Sequence, residues 1–302
     1  MNRWWVYQRE RFPIFQHGPL IAAFSISAIC FSSLLRNNIN VSHPSKFLVG
    51  FITAFIFFLQ LRLADEFKDF EEDSKFRPYR PVPRGLVKLK ELAVIGCMGA
   101  VIQLGLALWY YPPLFFILLL AWTYLVLMTK EFFIRNWIKK QPLIYMLSHM
   151  AIVPIVDFYT TSCDWRPVES HPPQGLPWFI AASYFNGLVV ELGRKIRSED
   201  QEEKGVETYT FLWGRSRAIS AWISAMILTA FCGTMAAREL HFALPVLFIL
   251  SLVFLAAFIS SIRFLLNPSA QNANKIQPLT GIWTLVFYLS IGAIPFIWRH
   301  MG

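Results

Sequence analysis

The sequence predicts an all-α polytopic membrane protein: nine transmembrane helices bundled around a central cavity, as one domain over residues 1–302. Three observations predict it. The chain is 55% hydrophobic and 16% charged, whereas soluble domains carry about 25% charged residues. Apolar runs of about 20 residues recur, each long enough to cross a hydrocarbon core about 30 Å thick. Basic residues collect in alternate connections. Only helices and closed barrels satisfy their backbone groups in lipid, and these runs are too long and too uniformly apolar for barrel strands.

The elements follow in order. The polar start, WWVYQRERFPIFQHG, precedes the first apolar run at 17–35, which is expected to be a retained span and not a cleaved leader. FITAFIFFLQL marks the second span, 46–67. The third and fourth, 89–110 and 113–133, are joined by a very short connection, as are the seventh and eighth, 217–238 and 242–264. The fifth, 141–162, carries His149 and Asp157. At a rise of about 1.5 Å per residue, Asp157 lies about 24 Å along that span, toward its outer boundary, where an interfacial or helix-packing role is expected. The sixth, 177–196, runs into an acidic segment, and the ninth is 279–299. The connection at 161–176, with Cys163, Trp165 and three prolines, shows no chemistry.

With the N-terminus inside, the inner segments hold 22 Lys and Arg and the outer ones 5, which predicts an N-in, C-out topology. The net charge of +9 is therefore assigned to orientation and anionic head groups, and no nucleic-acid partner is expected. The four cysteines, at 30, 97, 163 and 232, show no paired spacing for a disulfide framework or a zinc site. A bacterial inner membrane, with the charged loops cytoplasmic, is the simplest location.

The acids are as uneven as the bases. Asp65 to Glu91 contains seven of nineteen, and Glu191 to Glu207 contains six, so both clusters sit at inner ends, of spans two and six. A weak internal duplication would account for this. Asp65, Asp69 and Asp73 are spaced four apart. On a continuous helix each step rises about 6 Å and rotates about 40°, giving one slanted carboxylate stripe. Hard oxygen donors of this kind suit Mg²⁺, which takes a few carboxylates together with substrate phosphate oxygens. Arg77, Arg80 and Arg84 follow on a loop stiffened by Pro78, Pro81 and Pro83 and offer forked hydrogen bonds to the same phosphates. The plainer reading is a solvated helix end whose acids pair with those arginines; divalent-cation transport is another.

DEFKDFEED followed by RPYRPVPRG resembles the first motif of the UbiA superfamily of intramembrane prenyltransferases, which includes UbiA-type terpene cyclases. That motif has an Asn and two Asp at four-residue steps, then RPxxxG. Asp69 and Asp73 match the aspartates, Asp65 stands where the family has Asn, and Arg80, Pro81 and Gly85 match the tail. In the second motif, Gly205, Thr208 and Gly214 match its closing element, but Glu191, Lys195 and Glu199 put a lysine into what should be an acidic stripe, with Arg194 beside it. The resemblance, which covers nearly the whole chain, implies a reaction in which an isoprenyl diphosphate is ionised with Mg²⁺. Asp65, Asp69, Asp73, Glu191 and Lys195 would then be catalytic. Asp65, Asp69, Asp73 and Glu191 would hold metal, with a Glu191–Lys195 pair as the alternative for Glu191. Arg77, Arg80, Arg84, Arg194, Lys130, Tyr124 and Asn186 would line the diphosphate site, although Lys130 fits an ordinary inner-face lysine equally. The prenyl group would pass to a lipophilic, aromatic acceptor; the alternative is cyclisation of the chain on itself. A non-enzymatic transporter or lipid-binding protein is the remote reading. Some aromatic rings should face the cavity, because ring faces stabilise an allylic cation, but the sequence does not say which.

Overall fold

The computed structural model describes residues 2–38 and 44–301. Helices occupy all nine predicted segments, and no strand occurs among the described residues. A short amphipathic helix, α1 (Arg3–Arg11), precedes the first span. The spans are α2 (Ile14–Leu35), α3 (Ser45–Lys68), α5 (Leu89–Tyr110), α6 (Leu114–Thr129), the pair α8 (Pro142–Met150) and α9 (Ile152–Trp165), α10 (Leu176–Arg194), α12 (Arg215–Arg238), α13 (Ala243–Leu266) and the pair α15 (Ile276–Tyr288) and α16 (Ile294–Met301). Short helices α4 (Phe70–Phe76), α7 (Arg135–Ile138), α11 (Tyr209–Trp213) and α14 (Ala270–Ala273) lie in the connections.

Seven of the nine segments are long and apolar enough to cross a membrane. The other two have identifiable reasons. Helix α6 is apolar but only 16 residues, so it reaches about 24 Å. Helix α10 has 19 residues and ends in Glu191 and Arg194. The fourth span thus stops short of the predicted residue 133, because Glu131, Phe132 and Phe133 adopt left-handed φ angles of 49°, 54° and 62°.

Broken spans trace to prolines. Pro154 has no N–H for the Met150 carbonyl, and the fifth span kinks between α8 and α9. A π turn, Leu289–Ala293, precedes Pro295 in the ninth. Packing is closest where side chains are smallest, as lipid-embedded helices require. A Cβ on Gly292 would stand 2.1 Å from the Ser27 carbonyl oxygen, and one on Gly193 2.1 Å from Thr280 Oγ1, so α2 and the last turn of α10 seat directly against the ninth span.

At the end opposite the acidic clusters, Asp164 anchors a buried charge network. It accepts hydrogen bonds from Ser32 (2.8 Å), Ser33 (2.6 Å), Arg36 (2.9 Å) and Lys46 (2.7 Å), joining α2, α3 and α9. The expectation that 161–176 carries no chemistry is therefore corrected: α9 continues through Trp165, so Cys163, Asp164 and Trp165 are helical and buried. Lys46 is 5% exposed. Asp164→Ala leaves that ammonium unpaired and is expected to cost about 3–5 kcal/mol. A loss of thermal stability in detergent, with Asp164→Asn intermediate, is the check.

Candidate active site

Helix α3 runs unbroken to Lys68, kinks at Asp69 (φ −97°, ψ 5°) and resumes as α4. The backbone bonds Asp69 N–H to Asp65 O (2.9 Å), Asp73 N–H to Asp69 O (2.8 Å) and Arg77 N–H to Asp73 O (2.8 Å) carry the helical spacing across the kink. The three aspartates therefore stay on adjacent turns, with Asp69 near enough to feel the charge of both others.

Their surroundings differ. Asp73 is buried, and its two oxygens each meet a guanidinium at 2.6 Å, Arg77 on one and Arg80 on the other. Asp65 lies 3.3 Å from Lys68 Nζ and 3.6 Å from Arg62. Asp69 has no ion pair or hydrogen bond to its carboxylate among the described residues, and burial, together with the charges of Asp65, Asp73 and Glu72, raises its pKa despite Lys68. The three expected metal-binding carboxylates are therefore not equivalent. Asp73 already has two cations on it, and no three His, Cys, Asp or Glu among the described residues form a metal cluster. Asp69 with Asp65 still fits one Mg²⁺, which uses one or two carboxylates and takes its other ligands from water and phosphate.

The second cluster is built as a cation holder. Glu191 is buried near the end of α10, where Arg194 Nε bonds one oxygen and Lys195 Nζ lies 3.0 Å from the other. Tyr209 donates to the same carboxylate at 3.3 Å and sets its ring under Lys195 Nζ at 5.3 Å. The metal assignment for Glu191 gives way to the Lys195 pair, since both its oxygens face cations. Arg194 and Lys195 keep 44% and 31% of their side chains exposed, so the charges face outward above the buried carboxylate. Because α10 ends at Arg194, Glu199 leaves the expected stripe and begins a separate turn.

The two clusters meet. Arg194 and Asp65 are close enough for their charges to interact. The connections carrying them also dock: Tyr79 donates to Glu203 at 2.8 Å, and Gly205 packs on the ring of Phe76. Gly205 has φ +76°, and a Cβ there would stand 2.4 Å from the Phe76 ring. Gly205→Ala is expected to lower stability by about 1–3 kcal/mol through strain and collision together. Phe76→Ala combined with it should recover part of that loss, read by thermal melting.

Other expected residues are placed elsewhere. Arg84 bonds Glu10 (2.8 Å) and the Tyr79 carbonyl, tying α1 to the proline-rich loop instead of facing the clusters. Arg3 to Glu91 (2.7 Å) and Arg11 to Glu66 tie α1 to α5 and α3 as well. Lys130 is exposed and has no ion pair among the described residues, as an ordinary loop lysine would be. Tyr124 donates to the Ser148 carbonyl at 2.6 Å, so its hydroxyl is committed to α8. Asn186 lies deeper on α10, accepting from Thr284 at 3.4 Å.

Sequence reasoning missed two features. Lys68 bridges Asp65 to the Tyr145 hydroxyl at 2.8 Å. Tyr145 stacks on His149 at 3.8 Å, with Phe132 edge-on to the same imidazole at 5.8 Å. Asp157 takes the helix-packing role expected of it: it is fully buried and accepts from Ser183 and from Tyr288 (2.8 Å), joining α9, α10 and α15. Only the i, i+4 spacing of Tyr145 and His149 was visible beforehand, and such spacing is ordinary in a helix.

Comparison with known proteins agrees with this fold. The family model described as the UbiA prenyltransferase family matches residues 25–292. A UbiA homologue from Aeropyrum pernix K1, in its apo form, superposes with a TM-score of 0.70 at 12% identity, covering 94% of this chain and 98% of its own. A digeranylgeranylglyceryl phosphate synthase superposes with a TM-score of 0.63 at 18% identity, covering 97% and 99%. Among curated protein sequences none matches.

Proposed function

Because this chain belongs to the UbiA prenyltransferase family, we propose that it ionises an isoprenyl diphosphate within the membrane and transfers the prenyl group to a lipophilic acceptor. The observation that carries the reading is the interaction of Arg194, held with Lys195 on Glu191, with Asp65 of the first cluster at one end of a membrane bundle. Exposed cations held by a buried Glu191 suit an anionic head group, and the apolar spans suit a long hydrocarbon tail. That a similar fold belongs to a digeranylgeranylglyceryl phosphate synthase favours transfer over cyclisation.

In this mechanism Arg194 and Lys195 bind the diphosphate oxygens by charge-assisted hydrogen bonds that shorten as negative charge builds on the leaving group. Glu191 and Tyr209 fix both cations before substrate arrives, so little reorganisation remains for the transition state. Asp65 and Asp69 are the residues that would hold Mg²⁺, which when bound supplies further neutralisation of the leaving diphosphate. Arg77 and Arg80, already matched by Asp73, stiffen the turn that follows Asp69. The rings of Tyr145 and Phe132, packed on His149 beside Lys68, are assigned the role of keeping water from the allylic carbon. The site faces the cytoplasm on the topology that the basic residues predict.

The test is incubation of the purified protein with geranyl, farnesyl or geranylgeranyl diphosphate and Mg²⁺, with and without phenolic acceptors, followed by product extraction. Prenylated acceptor is expected, and chelation of Mg²⁺ should abolish its formation. A cyclic hydrocarbon or alcohol formed without acceptor would replace transfer by cyclisation.

A further inference from the structure

His149 makes no ion pair, yet among the described residues it is the one buried histidine, and groups of both clusters bear on it. It lies on α8 one turn beyond Tyr145, about 6 Å farther from the charged end. Lys68 and Asp65 of α3 and Glu191 of α10 all bear electrostatically on it. Its Nδ1 faces the Tyr145 carbonyl at 2.8 Å. A carbonyl only accepts, so Nδ1 carries the hydrogen and Nε2 presents a lone pair. Nε2 is buried and has no hydrogen-bond partner among the described residues. An unpaired buried acceptor costs about 1–3 kcal/mol, so a side chain whose only role was packing would gain by losing it.

The imidazole is also clamped. Tyr145 covers one face at 3.8 Å, and Phe132 meets the ring edge-on at 5.8 Å. Phe132 reaches that position only through the left-handed run at Glu131, Phe132 and Phe133, none of them glycine. Each such residue costs about 1–3 kcal/mol. That strain is concentrated where it holds an aromatic ring against the free imidazole.

We propose that His149 Nε2 accepts the proton released when the allylic cation is quenched. The proposal rests on the ionisation reading above and on capture of the cation by a carbon–carbon π bond, whether of an acceptor or of the chain itself. The C1–O bond breaks with its electron pair leaving on the diphosphate. A π bond of the acceptor, or of the chain itself, then attacks the cation, forming a C–C bond and moving the positive charge onto an adjacent carbon. A C–H bond next to that charge breaks, its electron pair restores the double bond or aromatic ring, and the proton passes to Nε2. The resulting imidazolium, still bonded to the Tyr145 carbonyl, returns its proton to solvent or to the departing diphosphate.

The test separates ionisation from quenching. Farnesyl diphosphate labelled with ¹⁸O in its bridging position reports ionisation and return by scrambling of the label. In His149→Gln, product formation is expected to fall about 100-fold or more while scrambling stays within about threefold of the parent protein. His149→Ala with added imidazole should regain at least about tenfold in product. Product formation kept within about threefold in His149→Gln would overturn the proposal. So would an equal fall in scrambling and product with no imidazole rescue, which would assign His149 to packing alone. Absence of scrambling and of diphosphate release in the parent would overturn the ionisation reading, and this proposal with it.

Discussion

Asp69→Asn is expected to abolish diphosphate release while making the folded protein more stable. Loss of at least about 10³-fold in rate follows if Asp69 holds the ion that neutralises the leaving group, since such charge stabilisation is worth several kcal/mol. The stability gain has a separate cause. Burial and neighbouring carboxylates raise the Asp69 pKa. A raised carboxyl binds its proton more tightly when the chain is folded, so its contribution is fully present below the ordinary carboxylate value and is lost as pH rises through the folded one. At neutral pH the charged form is therefore a cost, and asparagine removes it. In chelator, the variant should melt higher than the parent at pH 7 to 8, with the gap closing as pH falls toward the ordinary carboxylate value. Equal melting at all pH values would show that Asp69 is not electrostatically frustrated.

The second large effect is expected on substrate binding. Arg194→Ala with Lys195→Ala removes two charge-assisted hydrogen bonds, each worth about 1.5–3 kcal/mol, and kcat/KM for the diphosphate should fall by about 10²-fold or more. The same change leaves Glu191, whose side chain is 5% exposed, buried without a cation, so stability should drop as well. Adding Glu191→Gln separates the two. It is expected to restore melting temperature without restoring kcat/KM. Recovery of kcat/KM along with stability would mean that the cations serve folding only. Arg194→Lys, which keeps the charge but loses the fork, should fall between parent and double variant.

The fold and half of the site could be read before any coordinates. Span positions follow from apolar length, and the structure puts a helix at each, because lipid leaves the backbone no other option. Asp65, Asp69 and Asp73 could be placed together since four-residue spacing survives the kink at Asp69. What could not be read depends on distant pairs and on backbone without a residue signature. Lys68 meets Tyr145 across 77 positions, and Lys46 meets Asp164 across 118. No periodicity encodes such contacts. The left-handed turn at 131–133 reads EFF, without the Gly or Asn that usually marks positive φ, so the fourth span was expected to run through it. The second motif was ambiguous for a related reason. A lysine in an acidic stripe suggests either damage to a metal site or a deliberate cation, and only burial decides. Glu191 lies beneath and the two cations above, so the polarity of the cluster is reversed relative to the first.

The central claim is that this membrane protein breaks the C–O bond of an isoprenyl diphosphate between these two clusters. Inorganic diphosphate released from farnesyl or geranylgeranyl diphosphate, by parent protein and Asp69→Asn in the same liposomes with Mg²⁺, tests it most directly. Release by the parent and none by the variant is the result expected. No release by the parent with any chain length and with acceptors present, or equal release by both proteins, would contradict it.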